Sequence, residues 1–321
     1  MKKLLISALV AATLTPFAAS VSAADNLKIG FSNRTMNGAF FNAMNEYMKI
    51  HTKEKGYEYI STDARGDLSK QISDVEDMLS QGIDYLVLNP QDPEAGLRIA
   101  KSAERKGIPV VVLDSGIPLS APVITRVQAD NEQNNIMLGE FAVEHYGSDA
   151  MNCVLVSGNQ GNVVGEMRRV NFLRGVIEAQ LRKYNQTKLN ILSQGWGGWD
   201  QQGGLKAMED LLVAHGDKMN CAFAENDDMA LGMILALKAS NKLDQVTVFS
   251  NDGYKKGLES IKRGELKATV GNNPNQLTER VVEVIAEHAA GETQFPDYTY
   301  IKPVLMEQSN VSEHLDPDSF F

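Results

Sequence analysis

Short apolar stretches alternate with amphipathic helical patterns along this chain, and the alternation runs once, breaks, and starts again. Residues 27–31, 57–61, 85–88 and 110–113 read as strands, each followed by a helical pattern. One helix opens at Asp67, with Leu68, Ile72, Val75 and Leu79 falling on one face. Another opens at Asp92-Pro93-Glu94, where proline takes the first helical position. Strand and helix in strict alternation specify a parallel sheet with right-handed crossovers. An extended segment then runs over 121–129, a helix over about 132–146, and new strands begin near Cys153, Leu189, Cys221 and Val246. The pattern therefore predicts an α/β fold of two similar lobes. Each is a doubly wound parallel sheet flanked by helices, and a hinge of crossing strands joins them. The expected division is 24–129 plus 273–300 for the first lobe, and 130–272 plus 301–321 for the second. Segments 267–270 and 300–305 supply further crossings.

The most informative single stretch runs from Asn220 to Gly232. Cys221, Ala222, Phe223 and Ala224 carry no charge, as a strand covered on both faces requires. Glu225 to Asp228 form a polar break able to cap a helix, whose core-facing stripe is Met229, Leu231, Met233, Ile234 and Leu237. In an open α/β sheet, small ligands sit at the carboxyl ends of strands. Asn226 is placed to point there.

With 321 residues and 43% hydrophobic composition the chain can bury a core for two domains. Residues 1–23 read as a cleaved signal peptide: Lys2 and Lys3, an apolar run to Leu14, then Val21-Ser22-Ala23. That run is too short to span a bilayer, so a protein exported to a bacterial periplasm, without membrane insertion, is expected. A net charge of −10 with no basic stripe argues against nucleic acid. The two cysteines, Cys153 and Cys221, open their strands at the same phase. First and third strands are neighbours in a doubly wound sheet, so the thiols are expected side by side. A disulfide or a pair of buried free thiols both fit.

The polar strand ends are Asn89, Asp114, Asn226 and Asp252, and the loops add Phe40, Phe41, Arg168, Trp196, Trp199 and Asn272. Carboxylates, amides and guanidinium groups offer paired acceptors and donors that match vicinal hydroxyls, and aromatic rings cover the C–H faces of a sugar. Each residue also has a plainer role. Asn89 can close the turn before Pro90, Asp114 and Asp252 can cap the segments after them, and Trp199 can pack. Arg168 can be a surface helix charge beside Arg169 and Arg174. Repetition at equivalent strand ends favours binding. Catalysis finds no support: five histidines lie in no motif, and Gly158 to Gly165 lacks the dinucleotide glycine spacing and the P-loop lysine. Asp227 and Asp228 are adjacent helix residues and do not face each other as a metal pair would. Neither cofactor nor metal is expected.

From about Leu27 to Leu305 the chain resembles the periplasmic sugar-binding proteins of ABC importers, of the ribose-binding type. Asn37-Gly38-Ala39-Phe40-Phe41 is similar to that family's Asn-Pro-Phe-Phe element, and Asn89-Pro90-Gln91-Asp92 to its Asn-Pro-x-Asp turn. Arg168, four residues before Phe172, resembles its sugar-binding arginine, and Trp199-Asp200 its aromatic-Asp pair. The stretch 223–232 is the most specific likeness. Asn251-Asp252-Gly253 and Asn272 complete it. The resemblance implies a non-enzymatic monomer that closes on a monosaccharide or polyol and delivers it to an inner-membrane ABC permease. A sensory receptor presenting a sugar-like signal to a membrane kinase or chemoreceptor is the alternative. Ser115 stands where the family has an arginine, and Gly38 and Trp199 also depart from its pattern, so a ligand other than ribose is expected. Arg34 is a candidate substitute donor.

Overall fold

The computed structural model describes residues 26–321, so the expected signal peptide, 1–23, lies outside the described residues. The first run of elements is β1 (Lys28–Asn33), α1 (Ala39–Glu54), β2 (Glu58–Asp63), α2 (Leu68–Ser80), β3 (Tyr85–Leu88), α3 (Pro93–Arg105), β4 (Val110–Leu113) and β5 (Arg126–Ala129). The second run is α4 (Asn131–Tyr146), β6 (Met151–Ser157), α5 (Val163–Tyr184), β7 (Leu189–Trp196), α6 (Gln201–His215), β8 (Cys221–Ala224), α7 (Asp227–Ala239), β9 (Thr247–Asp252), α8 (Lys255–Lys262) and β10 (Ala268–Gly271). The chain ends with α9 (Pro274–Ala289), β11 (Tyr298–Ile301), β12 (Leu305–Glu307) and α10 (Val311–His314).

Two six-stranded sheets result, ordered β2-β1-β3-β4-β5-β11 and β7-β6-β8-β9-β10-β12. The first five strands of each follow one plan, with the second strand outside the first. The edges differ, because β11 joins β5 in parallel whereas β12 joins β10 antiparallel. The second sheet is thus mostly, not wholly, parallel. The chain passes between the sheets after β5, after β10 and between β11 and β12. Of the extended segment 121–129, only the last four residues pair as a strand.

Both faces of each sheet are covered, and the strands show it residue by residue. Val87, Val111 and Leu113 pack with Leu277 and Val281 of α9, while Leu86, Leu88 and Val112 pack with Val75 and Ile99 of α2 and α3. In the second sheet Val154, Ala222 and Ala224 face α6 and α7, and Leu155 and Phe223 face α4 and α5. Successive side chains leave a strand on opposite faces, so a sheet with two covered faces needs strands apolar at every position. Cys153 and Cys221 are direct register partners on β6 and β8 and form a disulfide under the α4 and α5 layer. The helix starts also match the sequence: Asp67, Asp92 and Asn226 each cap a helix through the side chain, at α2, α3 and α7.

Candidate functional site

The carboxyl ends of both sheets open onto one cavity of about 500 Å³. From the first sheet's side Asn37, Phe40, Phe41 and Asp114 line it, and from the second's Arg168, Trp199, Asn226, Asp252 and Asn272. Nine of the eleven expected residues thus share one cleft. Trp196, 47% exposed, does not line it. Asn89 is the other exception. It is fully buried behind the wall, its backbone pinned between Ser32 and Gln71 and its Nδ2 turned toward Asn33 Oδ1 at 3.5 Å. Its side chain lies in the β1–β3 seam, and its buried Oδ1 has no protein partner.

The second-sheet wall is tied together by Arg168, which is 3% exposed rather than a surface charge. Phe172, one turn further along α5, stacks on Phe223 of β8 with ring centroids 4.4 Å apart and seats the helix. The guanidinium then donates from Nη1 to the Glu225 carbonyl at 2.7 Å and to Asp252 Oδ1 at 2.8 Å, and from Nε to Asn131 Oδ1 at 3.0 Å. One side chain thereby joins the tips of β8 and β9 to the start of α4, just past the crossing from β5. Asn272 Nδ2 donates to the same Asp252 oxygen at 3.3 Å. Asn226 accepts from Met229 N–H as the α7 cap and donates to the Trp199 carbonyl at 3.1 Å. Capping and lining are compatible roles here. Trp199 lies flat against Gly158, where a Cβ would fall 1.9 Å from the indole, so only glycine lets the ring approach.

On the first-sheet wall the side chains are looser. Asn37 is exposed, and Arg34, Phe40 and Phe41 are half-buried. Phe40 and Phe41 meet edge to face with centroids 5.5 Å apart, and the Arg34 guanidinium lies 5.9 Å from the Phe41 ring centre. Arg34 Nη1 also reaches Ser115 Oγ at 3.5 Å. No carboxylate lies within ion-pair distance of Arg34 among the described residues, and its side chain lines the cavity. A second space of about 270 Å³ adjoins the first, bounded by Arg34, Gln91, Ser115, Gly116 and Asn162.

Backbone strain marks the same cleft. Seven described non-glycine residues have positive φ. Three are asparagines, which tolerate it; the other four, Arg65, Asp114, Trp199 and Asp252, all line the cavity. The electrostatics follow from burial. Burial pushes Asp252 up to about 6 despite Arg168, and pushes Asp114 up against the opposing pull of Arg168 and Arg34. Burial, with help from Asp252, pushes Asp227 up to about 7 just behind the wall, where it accepts from Ser250, Thr269 and Tyr254. Burial lowers Arg34, against Asp114.

Sequence reading left out Gln91, Asp63, Arg65, Asn159 and Asn162, which also line the cleft. Gln91 had a signal, because it sits inside the Asn-Pro-x-Asp turn, and its buried Oε1 has no protein partner. Among the described residues no cluster of histidine, cysteine or acidic side chains is grouped to hold a metal, and no helix is long and apolar enough to cross a membrane.

The chain is similar to known proteins over most of its length. Residues 29–293 match a family model described as a periplasmic binding protein domain. The chain is 31% identical over 277 residues to the ribose import binding protein of Haemophilus influenzae, covering 86% of this chain and 90% of that one. It is 34% identical over 257 residues to that of Bacillus subtilis, covering 79% of each. Among solved structures, an ABC transporter solute-binding protein from Mycobacterium smegmatis with bound glycerol superposes with a TM-score of 0.82 at 31% identity, over 92% of this chain and 99% of that one. One from Bacillus halodurans with bound myo-inositol gives 0.82 at 26% identity, over 91% and 98%.

Proposed function

The chain belongs to the periplasmic binding protein domain family, and from that premise we propose that it captures a monosaccharide or polyol by closing two lobes on it and hands it to an ABC permease. The lobes are residues 24–129 with 273–300, and 130–272 with 301–321. The signal peptide, 1–23, takes the chain to the periplasm, where it works as a monomer. Relatives named as import or binding proteins for ribose, xylitol and apiose support the ligand class.

The observation that carries the reading is a single cavity walled by the strand tips of both sheets. Neither wall alone encloses a ligand, so a ligand favours the closed arrangement only through contacts to both. Hinge closure around a ligand is the motion by which periplasmic binding proteins achieve this. Asp252, Asp114, Asn226 and Asn272 hold ring hydroxyls, Phe40, Phe41 and Trp199 cover the ring's apolar faces, and Arg168 donates from below. Asn37 stands at the rim, and Asn89 braces the wall from behind. Arg34 supplies the guanidinium that Ser115 does not, which turns preference away from ribose. Arg168 pairs with Asp252 and the Arg34 charge acts on Asp114, which suits a neutral guest. The ligand is bound and released without being converted.

A thermal-shift screen of pentoses, hexoses, inositols and glycerol tests this. A ligand at a hundred times its Kd contributes about 2.7 kcal/mol to stability, a shift easily seen. At least one sugar or polyol is expected to raise Tm and to be recovered chemically unchanged. No shift from any of them, or recovery of an altered product, contradicts the proposal.

A further inference from the structure

The last residues of the chain do something the cleft does not explain. After α10 the chain leaves the second sheet's helices, where Lys255 holds the Pro317 carbonyl, and runs onto α1 of the first. There Tyr47 Oη shares a hydrogen bond of 3.1 Å with Ser319 Oγ and accepts one of 3.0 Å from the Phe320 N–H. Phe321, only 6% exposed, enters a small apolar cluster with Ala43 and Tyr47 of α1. Its ring meets Phe40 edge to face at 5.5 Å and stacks on Tyr254 at 4.9 Å.

Those two contacts belong to different lobes. Phe40 stands in the first wall of the cleft, and Tyr254 lies two residues beyond Asp252 of the second. Tyr254 is itself fixed, since its N–H donates to Asp227 at 2.7 Å. Opening the hinge carries α1 away from the loop before α8, and Phe321 then has to release one of its two partners. An element that contacts both bodies in one arrangement and one of them in the other favours the first.

We propose that residues 316–321 form a latch between the lobes, with Phe321 as a positioning residue that sets Phe40 against the ligand and biases the molecule toward the closed arrangement. The latch and the ligand favour the same state, so each strengthens the other by the same factor. The inference rests on two hinged lobes and not on which small molecule fills the cleft.

Small-angle X-ray scattering on the ligand-free full chain, a chain stopped after Leu315, Phe321→Ala and Phe320→Ala tests it. Phe320 is 54% exposed and its ring pairs with Tyr47 of α1 alone among the described aromatic contacts, so its variant is the control. Because opening breaks one of Phe321's two aromatic pairs, losing the ring should shift the closed-to-open ratio about fivefold. The stopped chain and Phe321→Ala should therefore scatter as larger, more open particles, with circular dichroism showing both still folded, while Phe320→Ala scatters like the parent. Identical scattering from all four overturns the latch. So does equal expansion of Phe320→Ala, which would mean general loosening of α1. If a truncation fails to fold, Tyr254→Ala removes the other half of the stack and must give the same expansion.

Discussion

On the second lobe's side of the cleft, Arg168, Asp252, Asn226 and Asn272 are each buried and bonded to one another or to backbone at the strand ends, the loop after β7 and the start of α7. On the first lobe's side Asn37 is exposed, Arg34, Phe40 and Phe41 are half-buried, and the contacts among them are ring edges and a distant guanidinium. The two sheets share a strand plan, so topology does not set the difference. It comes from the side chains that each lobe places at its strand ends. In the second lobe a buried arginine gathers two strand tips and a helix start; in the first, a loop over 34–38 leads into α1 and its aromatics. Under the proposed function, the polar floor would set which hydroxyls fit and the aromatic cover would close over them.

Removing the tie should have the largest effect. Arg168→Ala leaves Asp252 buried without its partner, a situation that costs about 3–5 kcal/mol. Urea unfolding should show that loss, and a loss below about 1 kcal/mol would mean the floor is not held as described. The disulfide is the second brace of the same lobe. It closes a separation of 68 residues, and Cys153→Ser with Cys221→Ser should cost about 2–4 kcal/mol. Reductant should reproduce the change in the parent and do nothing to the double variant.

Phe41→Ala probes the other wall. Its ring is half-buried, so stability should fall by only about 1 kcal/mol. Titration calorimetry should nevertheless show ligand affinity reduced on the order of tenfold, from the lost aromatic cover. The reverse pattern, large destabilisation with affinity intact, would exchange the roles of the walls.

The smallest effect concerns pH. Burial holds Asp227 up near 7, above its unfolded value. The folded state therefore binds the proton more tightly, and this group's stabilisation is full below the unfolded carboxylate range and lost as pH rises through about 7. For one proton the change between about pH 6 and 7 is at most about 1 kcal/mol. Denaturant titrations at those two pH values should show the parent losing more stability than Asp227→Asn, and parallel losses would remove Asp227 as the cause.

Much of this was legible in the sequence because it is local or periodic. Apolar runs such as 85–88 announce a doubly covered strand, Asn226 announces a helix start, and equal phase placed Cys153 opposite Cys221. The illegible part depends on where a side chain turns once the backbone is fixed. Asn89 belongs to a recognisable turn yet points into the seam between β1 and β3. Asp63 reaches the cavity from the end of β2, and Arg65 from the loop after it, which has no pattern of its own. Residues 316–321 carry no periodicity, and their role arises only from meeting Tyr47 and Tyr254, far away in sequence. The antiparallel β12 is equally silent, because direction is set by the return of the chain and not by strand composition.

The most direct test of two walls acting on one guest is a crystal structure of the protein with whichever sugar or polyol gives the largest thermal shift. That molecule is expected in the 500 Å³ cleft, hydrogen-bonded to Asp252 or Asn226 on one side and to Asp114 on the other, with an aromatic ring against its apolar face. A ligand held by one lobe alone, or bound outside the cleft, would contradict it.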